Sequence, residues 1–308
     1  MEHGEQTTTD EVLEGIRLDG VTAVVTGAST GLGLETSRAL AAAGAHVLLA
    51  VRDTAKGEAS VATIRERVPD ASVGFGVVDL SSLASIREFA DATLATHPRI
   101  DVLVNNAGVM FTPFGRTADG FESQFGTNHL GHFLLTNLLM PALLAAAPAR
   151  IVNLSSGGHQ ASDIIWADPN YEQREYDKFE AYGQSKTANI LFTVELDARL
   201  AGRGVRSYAV HPGMIATDLG RHMTRDDMRA LRDRAKQAPA GGLPAYKSIP
   251  AGAATTVWAA TAPELSSVGG VYLADCGLAM ANQWALDRTS AARLWTLSEE
   301  LVGQRFEL

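Results

Sequence analysis

Cysteine is almost missing from this chain: Cys276 is the only one. That excludes an intrachain disulfide, a cysteine-rich metal site and a disulfide-stapled secreted scaffold, and it fits a reducing, cytoplasmic setting. No run of Lys or Arg occurs and the formal net charge is -9, which argues against nucleic acid or an anionic membrane surface and for a small-molecule partner. The amino-terminal stretch MEHGEQTTTDEV is polar and acidic, without the basic start and apolar core of an export signal. Long hydrophobic runs are scarce. The most apolar, Phe133 to Ala147, is interrupted by Thr136, Asn137 and Pro141 and falls short of the ~20 residues a membrane helix needs, so a buried helix is expected. Internal repeats and low-complexity tracts are absent. What remains is an ordinary globular balance, 46% hydrophobic and 20% charged over 308 residues, sufficient for one large α/β domain over residues 1–308.

Short β-branched runs alternate with alanine-rich helical segments. Val21 to Thr26, His46 to Val51, Ser72 to Val78, Asp101 to Asn106, Arg150 to Ser155 and Val205 to Val210 read as strands. Each is nearly all apolar, as a strand covered on both faces must be. The pattern predicts a doubly wound parallel sheet with helices on both faces. Between the first two runs, LGLETSRALAAAG reads as a helix that Gly44 ends in the left-handed conformation. Gly220 to Pro250 falls outside the alternation, being charged and then rich in Ala, Pro and Gly. Within it Thr224 is placed to cap a short helix with Asp227, and Met223 and Met228 flank that start at the staple positions. From Thr289 to Val302, Leu294, Leu297, Leu301 and Val302 share a helix face that should pack back onto the body.

The stretch VTGASTGLGLE, Val25 to Glu35, joins the first strand to its helix. A helix that starts directly after a strand aims free N–H groups and the positive end of its dipole at its start, which suits a phosphate. Gly27 would allow the tight turn, Gly31 the approach of a pyrophosphate to the main chain, and Gly33 the close packing of helix on strand. Glycines in a loop also serve a plain turn; the strand before and the helix after favour the dinucleotide reading. Tyr182 and Lys186 lie four apart in a helical pattern, so they emerge on one face a turn apart. An ammonium near a phenol favours the phenolate, pulling a pKa of about 10 toward the range of a working proton donor and acceptor. Such a pair also occurs on solvated helix faces. Ser156, at the carboxyl end of a strand where this sheet type binds ligands, tips the reading toward catalysis.

TGxxxGxG from Thr26, NNAG from Asn105 to Gly108, Asn128, Ser156, YxxxK at Tyr182 and Lys186, and HPG followed by Thr217 come in this order at strand ends. Together they resemble the short-chain dehydrogenase/reductase family, over roughly Leu18 to Cys276. The resemblance implies a single-domain Rossmann fold of about seven strands and an NAD(P)-dependent oxidoreductase. It implies that Ser156 positions and polarises a substrate carbonyl, Tyr182 is the general acid/base, Lys186 also bonds the nicotinamide ribose, and Asn128 holds a water in the proton path. Ser155 is the rival for Ser156. The dinucleotide would lie against Gly27, Ser29, Thr30, Gly31, Leu32 and Gly33, against Asp79 and Leu80, and against Asn106, Ala107 and Gly108. Pro212, Gly213, Ile215 and Thr217 would hold the nicotinamide beside Tyr182 and Lys186, with Thr217 on its carboxamide. No metal is expected: His129 and His132 lack a third ligand, and the family uses none. Ser156 and Tyr182 are separated by about twice the spacing of the family's simplest members. That insertion and the HPG variant resemble the retinol-dehydrogenase-like branch, which includes protochlorophyllide-reductase-like proteins. The leading membrane helix of many retinol dehydrogenases is not seen here, so a lipid-embedded retinoid is not the expected substrate.

The second strand ends LLAVRD, and Val51 stands where an NAD-preferring member would carry an acid. Arg52, about 20 residues after Gly33, suits the 2′-phosphate of NADP(H), while Asp53 competes as a ribose acceptor if the strand runs longer. Lys56 either adds a second cation or, the more ordinary role, stands as a solvated lysine. The expected activity is NADP(H)-dependent interconversion of a carbonyl and an alcohol on a medium-sized apolar or aromatic substrate, with Gly220 to Pro250 as a lid following the nicotinamide loop. Reduction of a conjugated C=C bond is the alternative enzyme, and a dinucleotide sensor without turnover the alternative class. A homodimer through the Tyr182 helix and a monomer both remain open.

Overall fold

The computed structural model describes residues 3–237 and 245–308; residues 238–244 of the expected lid therefore lie outside the described residues. Strands are β1 (Thr22–Thr26), β2 (His46–Val51), β3 (Val73–Val77), β4 (Val102–Asn105), β5 (Ala149–Leu154), β6 (Val205–His211), β7 (Met214–Ile215), β8 (Tyr246–Lys247), β9 (Val271–Ala274) and β10 (Gly277–Leu278). Helices are α1 (Thr9–Val12), α2 (Gly31–Ala42), α3 (Thr54–Arg67), α4 (Leu83–Thr96), α5 (Ser123–Phe125), α6 (Gly131–Ala146), α7 (Lys178–Arg199), α8 (Arg225–Gln237), α9 (Ile249–Thr261), α10 (Gln283–Leu286) and α11 (Arg288–Val302).

Eight strands form one sheet in the order β10-β9-β6-β5-β4-β1-β2-β3. Every pairing in it is parallel except β10 on β9. The sheet is thus the expected doubly wound one, with β10 added as a short antiparallel edge. Chain order reverses between β1 and β4, so the crevice beyond their carboxyl ends is where such a sheet receives a ligand. Successive side chains point to opposite faces, and the core divides accordingly. Val24, Leu48, Leu103 and Ile151 join the cluster under α4, α6, α7 and α11, whereas Val25, Leu49, Val104 and Val152 join the cluster under α2 and α9.

Gly44 follows α2 with φ 105°, as its place after the helix required. In α11, Leu294 and Val302 are buried, and Leu297 and Leu301 pack on the same cluster. One expectation is corrected. The apolar helix is longer than its interruptions suggested, because α5, a π-helical turn at Gly126–Leu130 and α6 run on as one 24-residue segment, Ser123–Ala146. By length and composition it could cross a membrane; 78% of its most apolar window is instead buried inside this fold.

Candidate active site

A cavity of about 1090 Å³ opens along the carboxyl ends of the parallel strands. Its wall contains every residue expected to contact the dinucleotide, from Gly27 to Gly33 in the first loop to Pro212, Gly213, Ile215 and Thr217 in the last. The glycines leave no space for anything larger. Gly27 and Gly31 hold φ of 64° and 56°, and a Cβ on Gly33 would lie 2.4 Å from Gly27 O. Thr30, at the N-cap of α2, makes no side-chain cap bond, so the helix start keeps N–H groups for a ligand. Thr26 fixes the neighbouring loop: its Oγ1 accepts from Asn106 N at 2.9 Å and Ala107 N at 3.0 Å, and Asn106 Nδ2 donates to Thr26 O at 2.7 Å. The cradle fits a dinucleotide.

At the adenosine end β2 stops at Val51, with Arg52 exposed behind it. Asp53 is already committed: it caps α3, accepting from Lys56 N at 2.8 Å, and its carboxylate lies 3.5 Å from Lys56 Nζ. Arg52 and Lys56 line the cavity and Asp53 does not. Asp79 Oδ1 accepts from Ser81 N and Oγ, and Asp79 lines the cavity with Leu80.

At the other end Ser156, Tyr182 and Lys186 meet. Ser156 Oγ accepts from Gly158 N at 3.0 Å and hydrogen-bonds the Tyr182 hydroxyl. Ser155 is spent elsewhere, donating to Lys186 O at 2.9 Å, so the second serine faces the cavity. Lys186 Nζ donates to Leu154 O at 3.0 Å and sits 5.6 Å from the Tyr182 ring centre. In this site burial, and not the ammonium, sets the direction of the phenol's shift. Burial pushes the Tyr182 phenol up to about 12, against the pull of the Ser156 bond, and burial pushes the Lys186 amine down to about 8. Each shift disfavours the charged form, and burial is the leading cause of both.

Asn128 lies behind the cavity wall, fully buried. Its Oδ1 accepts from Val109 N at 2.8 Å, and its Nδ2 donates to Val109 O at 2.9 Å and Ser185 Oγ at 3.0 Å. Both polar atoms of its side chain are thus engaged, and its main-chain carbonyl faces His132 Nδ1 at 2.9 Å. The two histidines are bonded apart, His129 to Ser298 Oγ at 2.8 Å and His132 to Asn128 O and Thr26 Oγ1 at 2.9 Å each. Among the described residues no cluster suits a metal.

Above Tyr182 the wall is apolar. Phe111, held at φ 51°, lies tilted against Phe179 with ring centres 4.5 Å apart and edge-on to Tyr182 at 5.1 Å. Met110, Met223, Ala230 and Leu231 pack on this trio. Thr224 and Asp227 form the expected reciprocal cap of α8, and Lys178 reaches Asp227 at 2.6 Å, tying α8 to the start of α7. β7 pairs with β8, Met214 with Tyr246 and Ile215 with Lys247, so the excursion leaves and returns beside the nicotinamide loop.

Several further residues brace the site. His211 Nδ1 accepts from Gly157 N at 3.1 Å and Gly213 N at 3.4 Å while its ring stacks on Tyr272, joining the Ser156 loop to the Pro212–Gly213 turn. Buried Lys247 pairs with Asp275 and packs against Gly213, where a Cβ would come within 2.8 Å of its stem. In the insertion, Asn170 Oδ1 accepts from Glu122 N and Tyr176 bonds Glu122 and Gln124, fastening it to α5. The HPG spelling pointed to His211; nothing local pointed to the others.

A family model described as short chain dehydrogenase matches residues 21–228. Retinol dehydrogenase 12 of Homo sapiens is 44% identical over 292 residues, covering 95% of this chain and 89% of that one. A crystal structure of an uncharacterised protein from Mycobacterium paratuberculosis superposes with TM-score 0.78 at 37% identity, covering 98% and 100% of the two chains. The RhlG/NADP active-site complex of Pseudomonas aeruginosa gives TM-score 0.63 at 26% identity, covering 84% and 96%. With the glycine cradle, the Ser156, Tyr182 and Lys186 cluster and these likenesses together, the chain belongs to the short-chain dehydrogenase/reductase family, in its retinol-dehydrogenase-like branch, and is an NAD(P)-dependent oxidoreductase acting between carbonyl and alcohol.

Proposed function

We propose that this enzyme uses NADP(H) to interconvert a carbonyl and an alcohol on a medium-sized apolar or aromatic substrate, with Tyr182 as the proton donor and acceptor. The observation that carries the reading is the meeting of Ser156, Tyr182 and Lys186 where the dinucleotide cradle joins the apolar wall of Phe111, Phe179 and Met223. When bound, the dinucleotide supplies or accepts the hydride. Ser156 Oγ takes the Gly158 N–H, and its own proton turns from the Tyr182 oxygen to the substrate oxygen. The Tyr182 hydroxyl then gives its proton to that oxygen, or recovers it in oxidation. Lys186, charged, favours the phenolate left on Tyr182, and the Asn128 carbonyl holds the water through which the proton is replaced.

The NADP(H) preference is supported by Arg52 and Lys56 on the cavity wall and by the use of Asp53 as a helix cap, since a guanidinium suits a 2′-phosphate. The NADP named with the Pseudomonas aeruginosa relative is consistent with it. The test is a spectrophotometric panel of ketones, aldehydes and enones with NADPH and NADH. Reduction of apolar aldehydes or ketones, faster with NADPH, is expected; turnover of enones at C=C alone, or faster turnover with NADH, would refute the corresponding part.

A further inference from the structure

We infer that His132 is a positioning residue, one imidazole that ties the main-chain carbonyl of Asn128 to Thr26 and so couples the proton path to the cofactor loop. The inference rests on the roles given above to Tyr182, Lys186 and Asn128, and it follows from counting hydrogens. Thr26 Oγ1 has two lone pairs and one proton. Its lone pairs are filled by Asn106 N at 2.9 Å and Ala107 N at 3.0 Å. Its proton has two candidate acceptors, His132 Nε2 at 2.9 Å and Val104 O at 3.4 Å, and the imidazole is the better placed. His132 Nδ1 faces Asn128 O at 2.9 Å, and a carbonyl can only accept. The ring therefore carries its proton on Nδ1 and its lone pair on Nε2, and every atom in the chain is satisfied.

The placement gives this chain its meaning. His132 is 2% exposed, so no solvent competes for either nitrogen. Asn128 sits in the π-helical turn Gly126–Leu130, where carbonyl directions depart from the regular helix and are set by what they bond. Its side chain is consumed by Val109 and Ser185. The Nδ1 bond holds the direction of the Asn128 carbonyl, the group to which the proposed mechanism assigns the water. Through Thr26 the same ring holds the Asn106–Ala107 amides against β1, at the floor of the dinucleotide cradle. His129, three residues before on the same helix and equally buried, makes a single ring bond to Ser298 and leaves Nδ1 without a partner; it serves packing.

The two ring nitrogens can be separated by substitution. Asparagine places a donor where Nδ1 stands and has nothing at Nε2, while glutamine places an acceptor where Nε2 stands and has nothing at Nδ1. NADPH binding is read by fluorescence titration of the whole protein, kcat is read with a carbonyl substrate that the wild type reduces, and melting temperature is recorded throughout. His132→Asn is expected to weaken NADPH binding about tenfold and to lower kcat by less. His132→Gln is expected to lower kcat about tenfold and to weaken binding by less. His132→Leu loses on both counts. His129→Leu should lower the melting temperature alone. Equal losses of binding and kcat in the asparagine and glutamine variants, or the same pattern from His129→Leu, would overturn the inference. A wild type that binds NADPH and reduces no carbonyl would instead sink the proposed activity. The Thr26 link would then stand or fall on whether His132→Gln binds NADPH more tightly than His132→Asn.

Discussion

Replacing Lys186 by methionine should stabilise the free enzyme while removing most of its turnover. Burial lowers the Lys186 amine from 10.5 to about 8, and one pKa unit corresponds to about 1.4 kcal/mol. Holding the ammonium inside at neutral pH therefore costs roughly 3 kcal/mol relative to the unfolded chain. Methionine keeps the stem and drops the charge. What it loses is the bond from Nζ to Leu154 O, but Asn189 Nδ2 donates to the same oxygen at 2.9 Å, so that carbonyl keeps a partner and the loss is about 1 kcal/mol. A net gain of about 2 kcal/mol is expected at pH 7. The pH dependence has a definite sign. Below about pH 8 folded and unfolded chains both carry the proton, and this group adds no slope. Between about 8 and 10.5 only the unfolded chain carries it, so wild-type stability rises with pH, whereas the variant has no such group. The advantage of the variant should shrink by about 2 kcal/mol between pH 7 and pH 9.5. Urea titrations of both proteins at the two pH values, without dinucleotide, measure the gap. A variant less stable than wild type at pH 7, or a gap equal at both pH values, would refute the reasoning.

Tyr182→Phe should lower kcat by about 10²–10⁴-fold with NADPH affinity nearly unchanged, because the proton donor goes and the cradle stays; stopped-flow and titration data showing most of kcat retained would remove Tyr182 from its role. Arg52→Ala should lower the ratio of kcat/KM for NADPH over NADH about tenfold, and an unchanged ratio would mean that the 2′-phosphate is held elsewhere. Lys178→Ala cuts the tie between α7 and α8 and should raise KM more than it lowers kcat, as loss of substrate enclosure would; the opposite split would place the tie outside substrate binding. Hydrogen exchange across residues 220–237 should slow when dinucleotide and substrate are added together, and equal exchange with and without them would end the lid reading.

The parts of the site that could be read from the chain are those whose chemistry is local. Gly27, Gly31 and Gly33 mark a backbone approach whatever surrounds them, and the spacing of Tyr182 and Lys186 fixes a shared helix face. Strand limits were close for the same reason: continuous apolar runs such as His46–Val51 leave little freedom in where a buried strand begins and ends. The direction of the Tyr182 shift was not legible, because a neighbouring charge is visible in the sequence and the depth of burial is not. The same holds for Ser155, whose hydroxyl turns inward to Lys186 O, and for Asn128, whose amide is claimed by Val109 and Ser185. Lys247 and Asp275 are remote in the chain and meet only because β8 and the β9–β10 turn converge beneath Gly213. The helix Ser123–Ala146 tolerates two of its apparent breaks because Thr136 Oγ1 accepts from Asn105 Nδ2 and Asn137 Nδ2 donates to Phe133 O.

The two-residue ladder of β7 and β8 has a consequence for how substrate preference can change. Both feet of the covering excursion are clamped at one place, next to the nicotinamide turn and over the Lys247–Asp275 pair. The closure entropy of a loop between fixed feet grows only with the logarithm of its length, so the intervening chain can be lengthened, shortened or exchanged at small cost in stability. Selectivity then resides in a cassette that is inherited or engineered separately from the hydride and proton machinery. Grafting another branch member's excursion between Gly220 and Tyr246, with Thr217 kept, should transfer its substrate range and leave the cofactor preference with the recipient.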